Sequence, residues 1–497
     1  MHTSDDSHDS YPLPDSGRFL GHPSLLWMLL AVTVGTNFAF YGFRAFLAPY
    51  AADTFFAGLP HEQALAQANY LFAGFGALAY ASAILGGWVA DNVLGEVQAL
   101  RLALWLMIPG LLGMTMPNRE IFTLALAFFV LAIGLSIPLT VLVGRNYAKD
   151  DPKRDAGYTL FYLAINFGAF VAPFVCAAWV GANYGYRWGF LAAAAGALLA
   201  ALVFEWKHRR MPGVQDKARY KRAWSTPGVA LAALLLVLPC AWLLAHPAAM
   251  NAVVYVLIGL LMLYFIASSV RRRDRVQGQR YIALLLLFIA MVLFWAMSLL
   301  SASALNFFAR DHVAPLWHGQ LLGLPWSFTL FQSVNPLYIL ILAPFMAMLW
   351  PWLDRRGINP STPRKFGIGL LLVALGYGVL LYAVDYLQLP DGKVAAWTLL
   401  ACYLGSTVGE LALSPIGYAL VVGKLAAADE ASLAMGGWFF GVSVSYDLSG
   451  QIAAFSTRGG IEAYARVFAA LLYGGVAIAL VYLIAAPWIV KLMHGAR

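Results

Sequence analysis

Charged residues make up only 11% of this 497-residue chain, less than half the share found in soluble globular domains. Cysteine is rarer still. Cys176, Cys240 and Cys402 are the only three, and each lies inside an apolar run, which argues against a disulfide framework and for buried, inert thiols. Catalytic patterns are missing too: there is no HExxH, no CxxC pair, no phosphate-cradling glycine loop before a basic residue and no GxSxG. The nine histidines lie in tails, loops or helix ends, none with a second ligand at metal spacing. No metal, cofactor or catalytic residue is expected. What the chain does have is apolar: 61% hydrophobic residues, with 45 glycines in addition. A membrane-spanning helix takes about 20 residues, so this is material for a dozen or more spans with short connections. A large soluble enzyme domain and a disordered chain are both excluded, leaving an all-α polytopic membrane protein.

Apolar runs bounded by charged or Pro/Gly-rich turns fall at about 24–50, 68–91, 98–116, 120–146, 158–181, 187–206, 228–245, 251–270, 280–308, 327–353, 366–387, 395–423, 433–457 and 463–491. These predict fourteen transmembrane helices, an even number that puts both termini on one side. Basic residues decide which side. Arg145, Lys149, Lys153 and Arg154 share one connection, and Lys207, Arg209, Arg210, Lys217, Arg219, Lys221 and Arg222 another. Arg271, Arg272, Arg273, Arg275 and Arg280 crowd a third, Arg355, Arg356, Arg364 and Lys365 a fourth, and all four fall on the same face. The positive-inside rule makes that face, and both termini, cytoplasmic. The net charge of +8 is therefore a sign of topology, and no nucleic-acid partner is expected.

The two densest basic connections flank the pair of spans at 228–245 and 251–270, which contains no acidic or basic residue. The layout predicted is a flexible cytoplasmic tail at 1–22, an N-terminal six-helix bundle at 23–206, a linker with an inserted two-helix hairpin at 207–279 and a C-terminal six-helix bundle at 280–497. Two six-helix bundles suggest a transporter with its site between the halves. A monomer in the inner membrane is expected, with the lipid bilayer and a small-molecule substrate as its partners.

An ionisable side chain deep in the membrane costs several kcal/mol and is a functional candidate by default. Glu410, in STVGELALSPIGYALVVGK, and Asp447, in GGWFFGVSVSYDLSGQ, lie on successive antiparallel spans. Each is about 20 Å along its helix from the cytoplasmic boundary. Arg44, toward the outer end of the first span, either snorkels to the interface or faces the interior. Asp447 has a Ser/Tyr-rich neighbourhood that would also satisfy it structurally.

At 150–175 the chain reads DDPKRDAGYTLFYLAINFGAFVAPF, which resembles the signature of the proton-dependent oligopeptide transporter (POT) family of the major facilitator superfamily. FYGFRAFL at 40–47, GGWVADNVLG at 86–95, FWAMSLLSASALNFF at 294–308, FQSVNPL at 331–337, GELALSPIG at 409–417 and MGGWFF at 435–440 are similar to further motifs of that family, in its order. The inserted hairpin is a feature of its bacterial members. The resemblance implies the major facilitator fold and transport by alternating access.

The departures from the family pattern bear on mechanism. Where its first helix usually begins ExxERFxYYG, this chain has TVGTNFAFYG, so Thr33 and Thr36 replace both glutamates, Asn37 the arginine and Phe40 a tyrosine. Its helix-four lysine falls at Ile137, its helix-seven glutamate at Leu299, and the arginine of its helix-two loop at Asn92. The resemblance implies that these groups carry the proton and clamp a peptide carboxylate, and here they are absent. What survives resembles an amine-recognition site. Glu410 would pair an ammonium, Asn166 and Asn335 would orient it, Tyr41, Trp295 and Trp438 would line the cavity, and Arg44 is the cation available for a carboxylate. Glu410 and Asp447 are the two candidates for proton coupling. The reading is a secondary active transporter of small amine-bearing or peptide-like molecules with non-standard proton coupling. The alternatives are a gradient-independent facilitator, an exporter of a modified peptide or other metabolite, a non-transporting receptor, and, as the weakest, a membrane-embedded enzyme.

Overall fold

The computed structural model describes residues 17–148, 151–207, 225–272, 274–316, 319–321, 324–420, 425–427 and 430–495. Lys149, Arg273 and the basic run 208–224 lie outside them. The described chain is helical almost throughout. In order come α1 (Ser24–Arg44), α2 (Leu47–Thr54), α3 (His61–Val89), α4 (Glu96–Gly113), α5 (Arg119–Gly134), α6 (Pro138–Gly144), α7 (Arg154–Ala172), α8 (Ala182–Tyr184) and α9 (Tyr186–Lys207). Then follow α10 (Ser225–Ala245), α11 (Pro247–Arg271), α12 (Arg275–Ser298), α13 (Ala304–His312), α14 (Val334–Arg355), α15 (Thr362–Tyr386), α16 (Ala396–Leu420), α17 (Ala431–Ser456) and α18 (Gly460–Leu492).

Thirteen helical segments among the described residues are long and apolar enough to cross a membrane. Several join helices that a break divides, such as Ser24–Thr54 and Arg275–His312. The fourteenth expected span is α17, whose 26 residues are ample in length. Ser443, Ser445, Asp447, Ser449 and Gln451 interrupt its apolar run, and that polarity sets it apart from the other thirteen.

The chain divides into two compact units, and the division does not follow chain order. The first takes Met1–Arg44 and Ala81–Trp242, the second Ala45–Tyr80 and Leu243–Arg497. The inserted hairpin is thus divided, with nearly all of α10 in the first unit and α11 in the second. In the first unit, α1 is buried along Leu25, Leu29 and Val32, which join Leu100 and Leu104 of α4 and Ala200, Ala201 and Phe204 of α9 in one core. Backbones approach closely there. A Cβ at Gly168 would stand 2.6 Å from the Val34 carbonyl oxygen, and one at Gly35 would stand 2.8 Å from Ala200 Cβ. Small residues matter most in membrane bundles, where packing rather than water exclusion holds helices together. Residues 17–22, the end of the segment expected to be a tail, begin a small hairpin in which Arg18–Phe19 pairs with His22–Pro23. Lys153 Nζ donates to the Gly21 carbonyl at 2.9 Å, and His22 Nδ1 lies 2.7 Å from the Tyr147 hydroxyl.

In the second unit, α15 and α16 press together at glycines. A Cβ at Gly405 would lie 2.6 Å from the Leu372 carbonyl oxygen, and one at Gly409 would lie 2.8 Å from that of Gly369 and 2.9 Å from Phe294 Cε2. This close approach fixes the height and rotation of α16, and with it the residue after Gly409. Cys176, Cys240 and Cys402 are free thiols, as expected.

Candidate functional site

Tyr403, Ser406, Thr407 and Glu410 recur on α16 at spacings of three and four, which puts them on neighbouring strips of one helix face. Each finds a partner within the second unit. Asn335 Nδ2, near the start of α14, donates to Glu410 Oε2 at 3.0 Å and to Thr407 Oγ1 at 3.0 Å. Thr407 in turn donates to the Tyr403 carbonyl at 2.8 Å. Ser406 Oγ donates to Ser298 Oγ on α12 at 3.0 Å. The Ser301 carbonyl, freed where α12 gives way to a short 3₁₀ turn at Leu299–Ala302, accepts from the Tyr403 hydroxyl at 3.0 Å and from Gln332 Nε2 at 2.7 Å. Glu410 and Asn335 are both partly buried. The result is a polar cluster in an apolar helix group, with one carboxylate held by a neutral amide and a hydroxyl beside it.

Trp295, partly buried, stands edge-on to Phe294 with ring centroids 5.7 Å apart. It lies three residues before Ser298, on the side of α12 that meets Ser406 and α16. Trp438 has different surroundings. Only 4% exposed, it packs against Phe288 and Phe366 and lines a small apolar pocket with Ile258, Leu261 and Phe265 of α11. Asp447 is 5% exposed. Its Oδ2 accepts from Gln451 Nε2 at 2.9 Å, and with its amide turned to satisfy both groups Asn251 donates to Oδ1 at 2.5 Å.

In the first unit, the Arg44 guanidinium lies over the Tyr41 ring, 5.4 Å from its centroid, at cation–π distance. Asn166 is buried, and its Nδ2 donates to the Tyr162 carbonyl one turn back at 2.9 Å. The positions that lack the family's charges are satisfied locally. Thr33 donates to the Leu29 carbonyl at 2.7 Å, Thr36 to that of Val32 at 3.0 Å, and Asn37 to that of Thr33 at 2.9 Å. Ile137 is exposed at the break before α6, and Leu299 is buried.

The sequence pointed to Glu410, Asn335 and Trp295, which the second unit brings onto adjoining helix faces. It did not point to Thr407, Ser406, Ser298, Ser301, Gln332 or Tyr403. Their signal was the polar strip on α16 and the Gln332–Asn335 spacing, which is easily lost among hydroxyls that membrane helices satisfy on their own backbone. The hairpin spans, which contain no acidic or basic residue, carry neutral polar groups that bond to carboxylates elsewhere in the second unit.

Among the described residues no group of three His, Cys, Asp or Glu could hold a metal ion. The POT family model matches residues 115–467. The chain is 32% identical to the peptide transporter YePEPT of Yersinia enterocolitica, over 94% of each chain. It is 30% identical to a di-/tripeptide transporter of Lactococcus lactis subsp. cremoris, covering 96% of this chain and 98% of that one. Among solved structures it superposes on a peptide transporter in complex with alafosfalin, with a TM-score of 0.82, 30% identity and coverage of 97% and 98%. A POT family transporter in complex with 5-aminolevulinic acid gives a TM-score of 0.80 at 27% identity, covering 96% and 99%. The helix motifs, the fold and these matches agree: the chain is a major facilitator protein, an integral membrane transporter rather than an enzyme, and belongs to the POT family.

Proposed function

We propose that this chain carries small amine-bearing, peptide-like molecules across the cytoplasmic membrane by alternating access, with both termini in the cytoplasm. The observation that carries the reading is the Glu410 cluster. A carboxylate accepts about four hydrogen bonds, so Glu410 holds Asn335 and a substrate ammonium together. Charge-assisted bonds of that kind are about twice as strong as neutral ones. Relatives named as a peptide transporter and a di-/tripeptide transporter, and one solved with 5-aminolevulinic acid, support the substrate class. Trp295 supplies an aromatic wall beside the pair, and in the first unit Tyr41 and Arg44 offer a ring and a cation.

Coupling is non-standard in this reading, because Thr33, Thr36, Ile137 and Leu299 carry no proton. Of the two candidates, Glu410 fits the role of coupling carboxylate better than Asp447, whose two oxygens are already bonded to Asn251 and Gln451. The loss of the relay favours a second reading, gradient-independent facilitation. Proteoliposomes loaded with buffer and offered a labelled dipeptide separate the two. Coupling through Glu410 predicts accumulation above equilibrium under an inwardly directed proton gradient, reduced to mere equilibration in Glu410→Gln. Equilibration by the unaltered protein, whatever the gradient, establishes facilitation. Substrate binding without any flux makes the protein a receptor and sinks both.

A further inference from the structure

Helix α11 belongs to the inserted hairpin, and its burial is one-sided. Val254, Ile258, Phe265 and Ser268 are buried, while Val256, Leu257, Leu260, Leu263, Ile266 and Val270 are exposed. In water such an apolar stripe would be held by the hydrophobic effect. In a bilayer it is not, since lipid tails solvate Ile, Leu and Phe as well as a neighbouring helix does, and polar contacts and close packing must decide the association. The polar contacts of α11 fall near its two ends, and at both the partner is a carboxylate on or beside α17.

At one end are Asn251 and Tyr255, one turn apart on α11, with Asp447 and Gln451, one turn apart on α17. Asn251 reaches Asp447 Oδ1 at 2.5 Å, and Gln451 Nε2 reaches both Asp447 Oδ2 at 2.9 Å and the Tyr255 hydroxyl at 2.7 Å. At the other end is Glu430, in the connection that leads into α17 and only 4% exposed. It accepts from Ser268 at 2.7 Å and from Tyr264 at 3.0 Å, pairs with Arg272 at 3.1 Å, and is bonded by Tyr281 of α12. Tyr264, Ser268 and Arg272 follow one another at four-residue steps, so one strip of α11 faces this carboxylate. The pairings 251 with 447 and 272 with 430 run in opposite senses, as two antiparallel helices require. Between the anchors the helices close up, and a Cβ at Gly437 would lie 2.6 Å from Leu261 Cδ2.

We propose that Asp447 and Glu430 are positioning residues that fasten α11 to α17, making the second helix of the inserted hairpin a fixed strut of the second unit. Asp447 then serves the attachment of the hairpin and not the passage of substrate or proton. The proposal does not depend on which substrate the protein carries.

Oxidative cross-linking in membranes tests it without reference to transport. In a background where Cys176, Cys240 and Cys402 are replaced by alanine, Leu261→Cys and Gly437→Cys place a thiol pair at this close contact between α11 and α17. The expected result is rapid, near-complete disulfide formation. Asp447→Leu, which leaves the donors of Asn251 and Gln451 unmatched, should slow it roughly tenfold, with Asp447→Asn restoring most of the rate because one acceptor oxygen remains. Tyr255→Phe, which keeps the ring and the fold, should slow it several-fold from the α11 side. Equal rates in all four backgrounds, or no rescue by Asp447→Asn, would overturn the role of the anchors. A separate readout addresses the proton: Asp447→Asn should keep the response to a pH gradient that the unaltered protein shows. Loss of that response with cross-linking intact would return Asp447 to the coupling machinery.

Discussion

At the scale of single residues, this protein sets its deep carboxylates Glu410 and Asp447 against neutral amide donors, Asn335 for the first and Gln451 and Asn251 for the second. Glu410 was legible in the sequence, because an acid inside an apolar span is costly unless satisfied. Its partner Asn335 was legible only through family resemblance, and Thr407 not at all, since a hydroxyl within a span usually bonds to its own helix. Glu430 was missed because it lies outside the apolar runs, in a connection where acids are commonplace. Its environment sets it apart. Burial alone would raise its pKa, but the hydrogen bonds from Tyr281, Ser268, Arg272 and Tyr264 outweigh that and hold its carboxyl at about 2, well below the ordinary value of 4.5. A carboxyl lowered on folding stabilises the folded state above its unfolded pKa and loses that contribution as pH falls toward the folded value. The thermal-stability gap between the unaltered protein and Glu430→Gln should therefore stay constant from neutral pH down to about 5 and shrink as pH falls from about 4.5 toward 2. A gap unchanged at pH 3 would contradict the assignment.

At the scale of helices, hydropathy and basic connections located the spans well, because length and polarity are physical requirements of the bilayer. The breaks within spans were less visible. Nothing in a run of apolar letters marks the 3₁₀ turn at Leu299–Ala302, yet that turn frees the Ser301 carbonyl for Tyr403 and Gln332. Close packing was hidden as well, since glycine reads as small and permissive and only the neighbour shows why it is there. Gly409 makes the point. Its α-hydrogen faces Gly369 and Phe294, so Gly409→Ala forces α15 or α12 away from the residue beside Glu410. Overpacking of that kind typically costs about 1–3 kcal/mol, and both the melting temperature and substrate affinity should fall. Gly474→Ala on α18, where a Cβ would meet nothing within 4 Å, should leave affinity unchanged and hold or raise the melting temperature, as Gly-to-Ala changes in helices do. Equal effects at the two glycines, measured by melting and ligand titration, would remove the packing explanation for the placement of Glu410.

At the scale of the whole molecule, the fourteen-span major facilitator architecture and the POT family were both readable from ordered motifs, and the match over residues 115–467 agrees with them. The grouping of the chain into units was not readable, because it depends on contacts between distant segments. Residues 45–80 precede the first unit's long central stretch yet belong to the second, and the inserted hairpin is divided between the two. The scarcity of charge bears on mechanism at this scale. Buried hydroxyls at Thr33 and Thr36 stand where the family pattern has glutamates, which leaves Glu410 as the carboxylate on which the proposed recognition of an amine rests. The decisive measurement is ligand binding by a dipeptide and its N-acetylated form, to the unaltered protein and to Glu410→Gln. The account predicts that the free amine binds the unaltered protein roughly ten- to a hundredfold more tightly than the acetylated form, and that Glu410→Gln removes most of that preference. An undiminished preference in Glu410→Gln would contradict it.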